Sequence, residues 1–203
     1  MRIGIDFDNT LVDYDRVFVA AAKRQGLIPL DFTGTKQAVR DCIRRSSDGE
    51  LAWQRLQGHV YGAGIGDATL FDGAGDFLGV CRTRGLEVFV VSHKTQFGHH
   101  DPTHVDLRRA ALGWMKARGF FRPDGFAIAP AHVFFESTRA EKLARIRAAG
   151  CDVFIDDLVE VFADPGFPAE VRPILFAATA TLAGVAVCPT WRQVAETVFG
   201  GPA

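Results

Sequence analysis

The chain reads as an α/β protein: a Rossmann-like parallel sheet with helices on both faces and a small helical cap inserted after the first strand. Three observations carry that expectation. Short β-rich runs alternate with helical patterns, the signature of parallel strands joined by crossover helices. The strand candidates are almost continuously apolar, as strands are when both sheet faces are covered. About eighty residues separate the first strand from the second, far more than one crossover helix requires.

The first strand is Arg2–Phe7, and it begins almost at the N-terminus. The others are Glu87–Val91, Val133–Phe135, Val153–Ile155 and Pro173–Phe176. Helical patterns occupy Tyr14–Gln25, Asp76–Arg84, Val105–Arg118, Arg139–Ala149 and Arg192–Phe199. The fourth of these opens with Thr138 and Glu141 at capping-box spacing and stops before Gly150, a start and a stop signal in the right places. Two further helices, Thr35–Ser46 and Glu50–Tyr61, fall inside the long first connection, followed by Gly62, Gly64 and Gly66. Residues 1–12 and 76–203 are therefore assigned to the α/β core, and residues 13–75 to the helical cap. The segment from His93 to His104 carries four histidines together with Gly98 and Pro102, which predicts an irregular loop. It leaves the second strand at its carboxyl end and is expected to reach over the site.

Composition narrows the function. With 203 residues, 48% hydrophobic and 23% charged, the chain is an ordinary globular protein. A formal net charge of −1 supplies no attraction for nucleic acid or for an anionic membrane. No apolar run approaches the ~20 residues of a membrane span, and no secretory leader is legible at the start. Cys42, Cys81, Cys151 and Cys188 are isolated, without metal-binding spacing, and read as reduced thiols. The expected compartment is the cytoplasm.

The chemistry concentrates at strand ends. Asp6-Phe7-Asp8-Asn9-Thr10 closes the first strand. Side chains alternate along a strand, so Asp6 and Asp8 point one way and Phe7 the other. Open α/β sheets bind their ligands at the carboxyl ends of the strands. A second acidic pair, Asp156-Asp157, follows the strand Val153–Ile155 and belongs at the same sheet edge. Carboxylates gathered this closely repel one another unless a cation compensates. A hard cation with oxygen ligands is the match, and Mg²⁺ is the usual one beside phosphate. Ser92 ends the second strand, where its hydroxyl can donate to a phosphoryl oxygen. Lys142 opens the helix before the Asp156 strand, where its ammonium can offset the negative charge.

In this order, these residues resemble the haloacid dehalogenase-like hydrolase superfamily, of the phosphatase type with a small helical cap. The resemblance implies that Asp6 is a nucleophile forming an aspartyl-phosphate, and that Asp8 is the general acid and then the general base. It implies phosphate-binding roles for Thr10, Ser92 and Lys142. It implies Mg²⁺ held by the Asp6 side chain, the Asp8 backbone carbonyl and the acidic pair, with Asp157 as the direct ligand and Asp156 either behind the ligands or acting through water. The adjacent Asp-Asp departs from the commoner Gly-Asp-x-x-x-Asp form, which leaves the choice between those two open. Asp8 separates phosphate-ester hydrolysis from carbon–halogen chemistry, because a leaving alkoxide needs a proton. The expected activity is a phosphoric monoester hydrolase acting on a small phosphorylated metabolite. A phosphomutase and a catalytically silent ligand-binding protein are the alternatives. His93 and Lys94, directly after Ser92, are candidate substrate contacts.

Overall fold

The computed structural model describes residues 1–201. Its strands are β1 (Arg2–Ile5), β2 (Val12–Asp13), β3 (Thr69–Leu70), β4 (Glu87–His93), β5 (Val133–Glu136), β6 (Val153–Asp156), β7 (Arg172–Leu175) and β8 (Ala186–Val187). Its helices are α1 (Asp15–Arg24), α2 (Lys36–Ile43), α3 (Gly49–Tyr61), α4 (Ala74–Thr83), α5 (Leu107–Ala117), α6 (Arg139–Ala148), α7 (Val159–Phe162) and α8 (Trp191–Phe199). The chain divides into two units. One holds residues 1–12, 70–94 and the chain from Arg118 onward; the other holds residues 13–69 and 95–117.

The first unit is a six-stranded sheet in the order β5-β4-β1-β6-β7-β8. Every neighbouring pair is parallel, so all six strands end at one edge. β1 lies between β4 and β6, with Ile5 in register with both Val90 and Ile155. That register brings the residues after β1 beside the ends of β4 and β6, the three places where the sequence puts its chemistry. The strands are apolar because they are covered: Val88 to Ser92 and all of β6 are buried. On one face Phe89, Val91, Leu143, Ile146, Phe154, Val161 and Val171 form a continuous core. Gly4 in β1 makes room for it, since a Cβ there would lie 2.5 Å from the Phe154 ring and 2.8 Å from the Cys151 sulfur. Phe71, Phe77, Phe176, Trp191 and Phe199 form an aromatic cluster, with Phe77 and Phe176 both against Trp191.

α6 is fastened at its start by a full capping box. The Glu141 amide donates to Thr138 Oγ1 at 3.1 Å and the Thr138 amide to Glu141 Oε2 at 3.0 Å. Gly150 just beyond the helix sits at φ +63°, the left-handed conformation that ends helices. The box sets where the helix begins, and with it the turn on which Lys142 stands.

The second unit is helical. Phe18 of α1 stacks on Trp53 of α3 with ring centres 5.0 Å apart, and Tyr14 meets Tyr61 edge-on at 4.9 Å. α5 belongs to this unit, whereas the sequence reading assigned residues 95–117 to the core. The reason lies in α3 and the residues after it. Gly58 has no side chain, and a Cβ there would come within 2.6 Å of Asp101; one at Gly62 would lie 3.1 Å from Val105. These glycines let the returning segment lie against α3, and Trp114 of α5 then donates its indole N–H to the Ala68 carbonyl at 3.0 Å. Residues 70–75, assigned to the cap by sequence, fall in the sheet unit. The histidine-rich segment is a run of turns, with His100 at φ +56° and His104 at φ +48°. No helix among the described residues is long and apolar enough to cross a membrane.

Candidate active site

Asp6 follows β1, and its amide still donates to the Ile155 carbonyl at 2.9 Å, so the sheet ladder sets its position. The chain then reverses tightly. Leu11 and Val12 both donate to the Phe7 carbonyl, at 3.2 and 3.0 Å, and Asn9 donates to the Val12 carbonyl at 3.0 Å. Asn9 takes φ +61°, a left-handed conformation that asparagine tolerates better than most residues. Trp191 closes the turn by donating its indole N–H to the Thr10 carbonyl at 3.0 Å.

Around this turn a network of charges is assembled, all within the sheet unit. Lys142 of α6 donates to Asp6 Oδ1 and to Asp156 Oδ2, each at 2.6 Å. The lysine is 1% exposed, Asp6 5% and Asp156 not at all. Asp156 accepts on its other oxygen from the Leu158 amide at 3.0 Å. Asp157, half-buried, accepts from the Thr10 hydroxyl at 3.3 Å. Lys94, 3% exposed, donates to both oxygens of Asp8, at 3.0 and 2.7 Å. Its ammonium lies 5.5 Å from the centre of the Phe7 ring, and that of Lys142 lies 5.5 Å from the Phe154 ring.

Burial dominates the electrostatics. It lifts the Asp6 carboxyl to about 7; the Lys142 ammonium opposes the rise, and the negative charges of Asp156 and Asp8 add to it. Burial alone would depress Lys142, but Asp6 and Asp156 outweigh it and hold the ammonium above its ordinary value. Four carboxylates (Asp6, Asp8, Asp156 and Asp157) against two ammonium groups leave an excess of two negative charges when all are ionised. One ligand oxygen each from Asp6, Asp156 and Asp157 lies within 4.8 Å of the others. Three hard oxygen donors with a surplus of negative charge fit a divalent cation such as Mg²⁺.

The structure thus brings together Asp6, Asp8, Thr10, Lys94, Lys142, Asp156 and Asp157. Ser92 is 1% exposed near the end of β4, beside Phe135 in register, and its hydroxyl takes no part in the bonds just described. Thr10, expected at the phosphate, is fully buried and holds Asp157 instead. His93, expected at the substrate, is exposed and its Nε2 pairs with the Ser137 carbonyl at 2.9 Å. Strand alternation sends it to the other side from Ser92. Lys94, expected at the substrate, is bonded to Asp8. Trp191 escaped sequence reasoning altogether; its only signal was a tryptophan just before a predicted helix.

No protein-family model matches the chain, and no curated protein matches it in sequence. Solved structures do. Protein Tyrosine Kinase A of Mycobacterium tuberculosis superposes with a TM-score of 0.61 at 19% identity, over 98% of this chain and 97% of that one. A HAD-superfamily hydrolase of Ehrlichia chaffeensis superposes with a TM-score of 0.56 at 14% identity, over 97% and 95%. A HAD-family hydrolase of Deinococcus radiodurans, solved with bound phosphate and sodium, superposes with a TM-score of 0.52 at 14% identity, over 97% and 94%. The six-stranded parallel sheet, its flanking helices and the full-length superpositions give this chain the fold of the HAD-superfamily hydrolases.

Proposed function

We propose that the protein is a Mg²⁺-dependent phosphatase that hydrolyses a small phosphate monoester through an aspartyl-phosphate on Asp6. The observation that carries this reading is the Asp6–Lys142–Asp156 arrangement, with Asp157 within reach, at the carboxyl edge of the sheet. Asp6 keeps an oxygen for attack while Lys142 neutralises its neighbourhood. The bound phosphate of the Deinococcus radiodurans hydrolase supports a phosphoryl ligand for a site on this fold.

In the first step an Asp6 oxygen attacks phosphorus, and the bond to the ester oxygen breaks as Asp8 gives that oxygen a proton. In the second, Asp8 takes a proton from water, whose oxygen attacks phosphorus and releases Asp6. Splitting one displacement into two assisted ones is the value of the covalent route. Lys142 and the Ser92 hydroxyl stabilise charge on the phosphoryl oxygens, where most catalysis of phosphoryl transfer arises. Asp6, Asp157 and Asp156 would hold Mg²⁺, which supplies positive charge against the phosphoryl group when bound. The buried setting of these groups suits a small ester, and the proposed substrate is a phosphorylated metabolite of the cytoplasm. One structural neighbour, of Mycobacterium tuberculosis, is named a Protein Tyrosine Kinase, and a fold by itself does not name the phosphoryl acceptor. We assign water as the acceptor because Asp8, two residues from Asp6, offers a carboxylate that can take its proton.

The test is phosphate release from a panel of small monoesters by chelator-treated protein, with and without added Mg²⁺. Release that depends on Mg²⁺, with phosphate trapped on Asp6 after acid quench, supports the reading. Full activity after rigorous metal removal, or no release from any ester, would overturn it.

A further inference from the structure

Lys94 has an unusual place. It follows β4, and its amide still donates to the Glu136 carbonyl at 2.9 Å, so its backbone is held as if the strand continued. Its side chain is 2% exposed and ends with one ammonium against both oxygens of Asp8, a carboxylate that is itself 17% exposed. A carboxylate bonded through one oxygen can still rotate about its last torsion; one bonded through both is held in a single plane. Asp8 needs that restraint. It sits in a loop after β1, two residues from Asp6, and like charge drives the two carboxylates apart.

We propose that Lys94 is a positioning residue: it orients the Asp8 carboxylate as the base of the second step, rather than binding substrate. The proposal rests on the phosphatase reading above. In that step one Asp8 oxygen accepts a proton from water while the water oxygen bonds to phosphorus. The phosphorus–oxygen bond to Asp6 breaks, and its electron pair returns to the Asp6 carboxylate. Orientation of the base toward the water is what Lys94 supplies; phosphoryl binding proceeds without it, and so does transfer to Asp6 from an ester whose leaving group needs no proton.

The experiment compares wild type with Lys94→Met and Lys94→Arg on p-nitrophenyl phosphate and Mg²⁺, a substrate whose leaving group needs no proton. For Lys94→Met, kcat falls by roughly 10- to 100-fold, part of the roughly 10²- to 10⁴-fold that a general base contributes. Over the same comparison kcat/KM, which reports only the steps through transfer to Asp6, stays within about threefold. Acid-quenched intact mass shows phospho-Asp6 accumulating in the variant, and calorimetric affinity for inorganic phosphate is unchanged. Lys94→Arg restores part of kcat. If Lys94→Met does not fold, Lys94→Gln, which keeps one donor and loses the charge, gives the same pattern. Weaker phosphate binding with a matching fall in kcat/KM would overturn the proposal and assign Lys94 to the phosphoryl group. Unchanged kcat would overturn it as well. A wild type that releases no phosphate overturns the phosphatase reading, and this role falls with it; an active wild type with an indifferent Lys94 removes this role alone.

Discussion

Lys142 and Lys94 serve the same group of carboxylates in different ways. Lys142 rises from α6 and joins two strands: it bonds Asp6 beyond β1 and Asp156 at the end of β6, with all three groups nearly or wholly shut from water. Lys94 comes from the end of β4 and bonds both oxygens of Asp8, a carboxylate that keeps 17% exposure. Charges buried as deeply as Lys142's partners are costly to leave unmatched, so that lysine bears on folding as well as on chemistry. A pair with access to water can lose a member at less cost, so Lys94 bears mainly on the geometry of Asp8. Two lysines of equal charge thus differ in burial of their partners and in the strands they join.

The largest effect expected on the Asp6 side of this comparison is chemical. Asp6→Asn, nearly isosteric and without a nucleophilic oxygen anion, should lower turnover by at least ~10³-fold while the protein stays folded, since loss of a nucleophile removes the covalent route as a whole. Steady-state kinetics with circular dichroism checks it. A folded variant with near wild-type turnover would remove Asp6 from the reaction.

Next comes Lys142→Met, which leaves Asp6 and Asp156 buried together without a counter-charge. A destabilisation of about 3–5 kcal/mol is expected, the usual cost of removing one partner from a buried pair, and denaturant unfolding measures it. Added Mg²⁺ should raise the melting temperature of this variant more than that of wild type, because the cation then meets the larger excess of negative charge. Lys94→Met, by contrast, should lose less stability, since Asp8 retains contact with water. Equal losses for the two lysines would break the comparison.

The third expectation concerns pH in the metal-free protein. The folded state raises Asp6 from its ordinary value of 3.8 to about 7, so folding favours its protonated form. That contribution is fully present below about pH 4, fades as pH rises, and is gone above about pH 7. Asn at this position cannot lose a proton. The melting temperature of Asp6→Asn relative to wild type should therefore climb between about pH 4 and 8 and level off above. The span is on the order of 4 kcal/mol at most, by the conversion of ~1.4 kcal/mol per pKa unit. A difference independent of pH would contradict the burial of an unsettled charge at Asp6.

The smallest effect is at the turn after β1. Trp191→Phe keeps the ring packing and deletes the bond to the Thr10 carbonyl, which should cost about 1–2 kcal/mol, the range for a buried acceptor left unmet. Turnover should fall only modestly, because Asp6 stays tied to Ile155 through its backbone.

Much of this architecture is legible in the order of residues. Apolar runs of strand length separated by helical patterns predict a parallel sheet covered on both faces, because each pattern states which surfaces must be hidden from water. The acidic strand ends, and Ser92 and Lys142 between them in sequence, mark the candidate site for the same local reason: carboxylates at the carboxyl edge of a sheet serve no packing purpose. Thr138 and Glu141 announce the start of α6 through their own spacing. The short strands β2, β3 and β8, of two residues each, were not legible. Two residues hold no periodicity, and only a partner strand makes them strands.

Pairing across long separations was decided by tertiary structure alone. Nothing in the local sequence says that α5 joins the helices of the first insertion, because that depends on Gly58 and Gly62 offering a surface without side chains to a segment some forty residues away. Nor does it say that Lys94 meets Asp8, 86 residues apart, or that Trp191 holds Thr10, 181 apart. A residue's type and its neighbours determine what it can bond. Which of the possible partners it bonds is set by the register of β1 with β4 and β6, which emerges only when the whole sheet has formed.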